Sequence, residues 1–132
     1  MIITNVGIDF PAVFEDDRSP ATCIAFRKVM PFKGKIIHVR WSGEALWIPL
    51  GDLDFNVGFE DPTTYPTPGQ ILLYPGGKSE TEILIAYGSV RFASKAGSLA
   101  GNHLASITSH LGKLREVGVS TLWTGAKEIT IR

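Results

Sequence analysis

The stretch PGQILLYPGGKSETEILIAYG, Pro68 to Gly88, most constrains what this chain can fold into, because two runs of β-forming residues flank a polar, glycine-rich connection. Ile71 and Leu73 on one side and Ile83 and Ile85 on the other recur with period two, the spacing a strand needs to place one set of side chains in a core. Pro75-Gly76-Gly77 through Glu80 supplies the turn, so the stretch reads as a β-hairpin. Other β-type segments stand around it. Thr4, Val6, Ile8 and Phe10 alternate with polar or small residues, which predicts an opening strand. KIIHVRW and ALWIPLG flank Ser42-Gly43-Glu44 as a second hairpin, with Trp41 and Trp47 close enough to pack. FNVGF reads as a short strand, HLASI as a strand leading to a short helix over residues 109–117, and AKEITIR as the last strand.

Ser19 before Pro20 is an N-cap followed by a first helical residue with no amide to satisfy, and predicts a helix from Pro20 to Met30 that Pro31 ends. Apolar residues occupy most of its circumference, as expected of a plug or cover over a sheet. The sum is about eight strands and two short helices, a mainly β chain closed or nearly closed into a barrel with helical caps. A length of 132 residues suits one domain spanning 1–132.

Composition narrows the partners. Lys plus Arg and Asp plus Glu number 13 each, so no global field gathers nucleic acid or an anionic membrane, and neither is expected as a partner. The start, MIITNVGIDF, lacks a basic segment followed by an apolar run, and no stretch approaches membrane-spanning length; the expected location is the cytoplasm. Cys23 is the only cysteine, which excludes an internal disulfide and a multi-cysteine metal cage, and its apolar helix makes it a small buried hydrophobe rather than a nucleophile.

The strings ITNVGIDF, HVRWSGEALWIPL, FEDPTTYPTPGQILLYPGG and LAGNHLASI, taken in order, resemble a small bacterial family of unknown function with a cyclophilin-like barrel. The resemblance covers nearly the whole chain and implies a single cyclophilin-like closed barrel with no established activity. It does not imply prolyl isomerisation. True cyclophilins follow their early histidine and arginine with a phenylalanine, a glutamine and a Gly-Gly-Asp run, whereas here His38 and Arg40 lead into WSGEALWIP. No catalytic residue is carried over.

Two polar constellations remain. His38, Arg40 and Glu44 surround the first hairpin, His38 and Arg40 in phase on one strand, so an imidazole, a guanidinium and a carboxylate could converge at a barrel mouth. There Arg40 could hold a substrate carboxylate while His38 or Glu44 exchanged a proton. The plainer alternative is an outward face carrying a surface ion pair. Arg91, Ser94, Lys95, Ser98, Asn102 and His103 form the second, in a segment whose Gly97 and Gly101 let backbone approach an anion, or simply a connecting loop. Both sets facing one pocket would make Arg91, Asn102 and His103 ligand groups beside His38, Arg40 and Glu44.

GGKS at residues 76–79 lacks the first glycine of a phosphate-binding loop, that place being Leu72, and reads as a turn. His38, His103 and His110 show no paired ligand spacing, Asp52 and Asp54 no calcium-loop pattern, so neither a metal nor another cofactor is expected. Trp41, Trp47 and Trp123 suit a core, a subunit contact or a ligand platform. Three functions follow, with catalytic residues unassigned: a barrel binding a small anionic or amide-bearing metabolite at one mouth; a small hydrolase or isomerase using His38 or His103 with Glu44; or a structural subunit of an assembly. A homodimer or higher homo-oligomer fits the last and is compatible with the others.

Overall fold

A computed structural model describes residues 1–132. In chain order the elements are β1 (Ile2–Asn5), β2 (Ile8–Phe14), α1 (Pro20–Arg27), β3 (Phe32–Ile36), β4 (Gly43–Gly51), β5 (Gln70–Tyr74), β6 (Thr81–Val90), β7 (Ala93–Ser94), β8 (Gly97–Ser98), β9 (Asn102–Ile107), α2 (Leu111–Thr124) and β10 (Lys127–Ile131). Eight strands form one antiparallel sheet in the order β3-β10-β1-β2-β9-β5-β6-β4, and β7 pairs with β8 alone. The two edges of the large sheet meet where the amides of Ile37 and Trp47 each bond the other's carbonyl, at 2.8 and 2.9 Å. The result is a nearly closed barrel with two helices.

The hairpin expected over residues 68–88 is present in the expected phase, Ile71 opposite Ile85 and Leu73 opposite Ile83. These four side chains point into the barrel, where they join Ile3, Phe10, Phe26, Leu46, Ile48, Leu104, Leu114 and Ile129 in one apolar cluster of 20 buried residues. The opposite faces of β4, β5 and β6 are buried as well. Ala45, Trp47, Leu72, Tyr74 and Leu84 pack beneath Phe92 and Leu99, which the β7–β8 segment folds back over the sheet. Both faces being covered is why LLY and ILIAY carry few polar residues. The expected Trp41–Trp47 contact forms, with ring centroids 6.0 Å apart.

Several expectations are corrected. The opening strand is two strands, because Val6 and Gly7, with φ of 45° and 76°, make a two-residue turn whose positive dihedrals match the twist of a hairpin. Residues 55–59 make no strand; Asn56 sits at φ 55°, and Phe55 instead lays its ring against Phe26, 6.2 Å away. The first helix stops at Arg27 and buries only Thr22, Cys23 and Phe26, leaving Ile24 exposed. The second helix runs on to Thr124, beyond the expected end at Val117.

Ser19 takes the N-cap position of α1 but its hydroxyl does not cap the helix. Glu60 does so from the long loop, its carboxylate accepting the amides of Ala21 (3.1 Å) and Thr22 (2.7 Å) and the Thr22 hydroxyl (2.7 Å). Asn102 ties the same loop to the barrel: its amide group donates to Thr22 Oγ1 and the Gly58 carbonyl, and its oxygen accepts the Glu60 amide. Cys23 is wholly buried beneath this cap, and burial pushes its thiol up to about 11, which fits an inert side chain.

Partial burial of Glu60 works against its charge, yet the bonds from Thr22 and Ala21 outweigh it and hold the carboxyl below the ordinary 4.5. A depressed carboxylate contributes stability above its unfolded pKa and loses it as pH falls through the folded value. Glu60→Ala is therefore expected to lower unfolding stability by about 1 kcal/mol at neutral pH. In urea melts over a pH series, the gap between variant and parent should narrow below pH 4.5.

Candidate functional site

The barrel end beneath α2 carries a pocket lined by both polar and apolar side chains. Barrel closure at Ile37 delivers His38 directly to this mouth, a 3-10 turn over Arg40–Ser42 places Arg40 beside it, and the start of β4 supplies Glu44. Tyr87 rises from β6 and the last turns of α2 bring Val119, Leu122 and Trp123 across the opening. Together these side chains line a cavity of about 300 Å³. His38 and Arg40 do not share a strand, as β3 ends at Ile36, yet they and Glu44 meet at one mouth.

The groups differ sharply in how they are held. His38 Nε2 lies 2.8 Å from the Tyr87 hydroxyl, with the rings edge to face at 5.6 Å. His38 Nδ1 is buried without a hydrogen-bond partner. Desolvation pulls His38 below its ordinary 6.5; the Val39 backbone opposes this in part, Arg40 adds to it, and Glu44 opposes it least. The ring is therefore neutral at pH 7. Burial likewise raises the Tyr87 phenol, with the Glu44 charge a smaller contributor, so the His38–Tyr87 pair is uncharged.

Glu44 is occupied. Its Oε2 accepts from Arg115 at 2.7 Å and its Oε1 from the Ser89 amide at 3.0 Å, and the Arg115 bond above all holds the carboxyl below its ordinary range. Arg40 is the contrast. It is exposed, with neither a carboxylate within salt-bridge distance nor an aromatic ring beneath it, leaving its full fork of donors to solvent.

The other three candidates lie elsewhere, so the expectation of one shared pocket is corrected. His103 pairs with Leu72, which in turn faces Leu84 on the outer surface of the sheet, about 10 Å along β6 from Tyr87 at roughly 3.3 Å per residue. It is buried against Arg18, whose Nη1 lies 3.1 Å from Nε2. Asn102 is wholly buried and its side chain is spent on the α1 clamp. Arg91 turns its guanidinium onto Ser98, at 2.6 Å from Nη2. Trp123, one of three tryptophans with the option of a ligand platform, does line this mouth, whereas sequence gives no pocket signal for Tyr87 or Leu122. Tyr87 reads there as one more strand residue, and the last turn of α2 lies beyond the expected helix.

One close packing makes the mouth. A Cβ at Gly118 would overlap the Tyr87 ring, so this helix residue must be glycine for α2 to settle against the phenol. Gly118→Ala is expected to cost about 1–3 kcal/mol in chemical denaturation, through the overlap rather than through helix propensity, which alone favours alanine. The depressed His38 has a second consequence. Its unfolded form takes up a proton that the folded form refuses, so its share of stability falls as pH drops below 6.5. An NMR titration of the ring should show His38 still neutral where an ordinary histidine is half charged.

Three comparisons bear on identity. A family profile described as "Protein of unknown function (DUF3830)" matches residues 1–132. No curated protein matches the chain. Among solved structures, one described as McbB in complex with tryptophan aligns over 99% of this chain with a TM-score of 0.75 and 19% sequence identity, a likeness of fold. This chain spans 43% of that one.

Proposed function

We propose a function for a chain that belongs to the DUF3830 family of proteins of unknown function: the mouth beneath α2 binds a small anionic or amide-bearing metabolite. The observation that carries this reading is the unpaired Arg40 guanidinium, set in a cavity beside a neutral His38–Tyr87 pair and an apolar wall from α2. Arg40 takes the ligand's carboxylate through two parallel hydrogen bonds. His38 and Tyr87 supply uncharged donors and acceptors that fix its orientation, and Val119 and Leu122 exclude water from one side.

In this reading the chain is a bacterial, cyclophilin-like single domain of the cytoplasm, free to form homodimers, that neither isomerises prolines nor needs a metal. The eight-stranded barrel with two helices supports the fold name, and the missing phenylalanine-glutamine-glycine sequel after Arg40 supports the lack of isomerase chemistry. No helix is long and apolar enough to cross a membrane. Arg91, Asn102 and His103 drop out of the ligand set, since their side chains are engaged away from this mouth.

The enzyme reading has one observation in its favour, the 2.8 Å contact that would let Tyr87 and His38 pass a proton. Glu44 is poorly suited as its acid–base partner, being held ionised by Arg115.

Thermal melts against a set of carboxylates, amides, nucleotides and cyclic ureides test the binding reading, with tryptophan included because McbB is described in complex with it. A ligand at a hundred times its Kd adds roughly 2.7 kcal/mol to the folded state. A carboxylate or amide is expected to raise the melting temperature in proportion to its concentration. For a carboxylate, Arg40→Gln should remove that rise without lowering the melting temperature of the free protein. A complete lack of response across the set would sink the reading.

A further inference from the structure

Trp123 is the most exposed large apolar residue of the chain, 78% open to solvent, and it stands in the wall of the mouth pocket. A tryptophan so placed leaves an extensive planar apolar surface in water, although the same helix had buried positions available at Leu114, Val117 and Thr121. Leu122 and the 38% exposed Val119 extend the apolar surface on the α2 side, and the opposing wall is polar: His38, Arg40 and Glu44. The cavity therefore has two chemically distinct walls. One offers an aromatic face and the other a free guanidinium, with neutral hydrogen-bonding groups between them.

Arg40 does not satisfy that face itself. The guanidinium groups that stand over rings are Arg27 on Phe14 and Arg115 on Tyr87, so the Trp123 indole and the Arg40 fork are both left without a partner. A ligand that met both would need a planar ring at one end and an anionic, preferably forked, group at the other. Resting on the binding reading above and narrowing it, we infer that the mouth takes a planar aromatic carboxylate, its ring stacked on Trp123 and its carboxylate held by Arg40. Aliphatic acids would keep the ion pair and lose the stacking. Neutral aromatics would keep the stacking and lose the anchor.

Calorimetric titration of the whole chain with phenylacetate, cyclohexylacetate and phenylacetamide separates these contributions. Phenylacetate should bind at least about tenfold more tightly than either of the others, since each removes one contribution worth roughly 1.4 kcal/mol. Trp123→Ala should weaken phenylacetate by roughly tenfold and leave cyclohexylacetate nearly unchanged, whereas Trp123→Phe should keep most of the preference. Arg40→Gln should weaken both acids. Trp123 is exposed, so these variants are expected to melt with the parent, and sedimentation of each reports whether the subunit count has changed.

Equal affinity for phenylacetate and cyclohexylacetate, both lost in Arg40→Gln and neither touched by Trp123→Ala, would overturn the aromatic assignment while leaving the anion-binding reading intact. No binding of either acid, together with an assembly that Trp123→Ala dissociates, would overturn the assignment and make Trp123 a subunit contact.

Discussion

The mutual bonding of Ile37 and Trp47 is the contact on which the rest of this architecture depends. A sheet of eight strands has two edges, and at this point β3 and β4 stop being edges of an open sheet and become neighbours in a barrel. His38 is the residue after Ile37, and the Arg40–Ser42 turn and Gly43 are what the chain needs to reverse from one edge into the other. The residues that furnish the polar wall of the mouth are thus those that cannot avoid the mouth once the barrel shuts. Trp47, which supplies the other half of the closure, also packs against Trp41 and edge to face against Phe92, so the seam is backed by aromatic packing on its outer side.

That outer layer explains the unusual burial of the central hairpin. A strand in a small barrel ordinarily shows polar residues outward, but β5 and β6 lie under the folded-back β7–β8 segment and bury both faces. Glu82 is the charged exception to the apolar pattern. It is wholly buried on the strand opposite Tyr74, neither carboxylate oxygen has a hydrogen-bond partner, and burial, aided by the Glu80 charge, pushes it up to about 7. Such a group opposes folding once it must ionise, so the same layer that stiffens the hairpin becomes less favourable as pH rises past the ordinary glutamate range.

Much of the fold was legible because period two survives in sequence. Ile71, Leu73, Ile83 and Ile85 read correctly, as did the final strand, since each carries its face assignment locally. The misreadings share a cause. NVGID continues an alternation through a turn, and only the positive dihedrals of Val6 and Gly7 reveal that the chain reverses there. FNVGF alternates equally well, yet its phenylalanines serve loop packing against Phe26 and Tyr74. The expected helix over residues 109–117 stops short of Gly118, the residue that lets the helix pass over Tyr87 and run on to Thr124. Trp123 reads in sequence as a candidate ligand platform but, lying past the expected helix end, could not be placed beside His38, Arg40 and Glu44, which were legible because they cluster within seven positions. His103 and Asn102 were misplaced because sequence spacing says nothing about which end of β9 lies near which cap.

The electrostatics of the mouth follow from pairing rather than from the number of charges. The whole chain balances at zero, and near the mouth Glu44 and Arg115 cancel one another across 2.7 Å. His38 is kept neutral by burial and by the adjacent Arg40, and Tyr87 keeps its proton. What remains is one positive charge, on Arg40, in a cavity walled on its other side by apolar side chains. A lone guanidinium in water gains little from an anion, but one beside low-dielectric walls gains more, and the gain is confined to ligands small enough to enter. Neutralising Arg40 by an acidic neighbour would make the mouth indifferent to charge; pairing Glu44 with Arg115 is what keeps the nearest carboxylate from doing so.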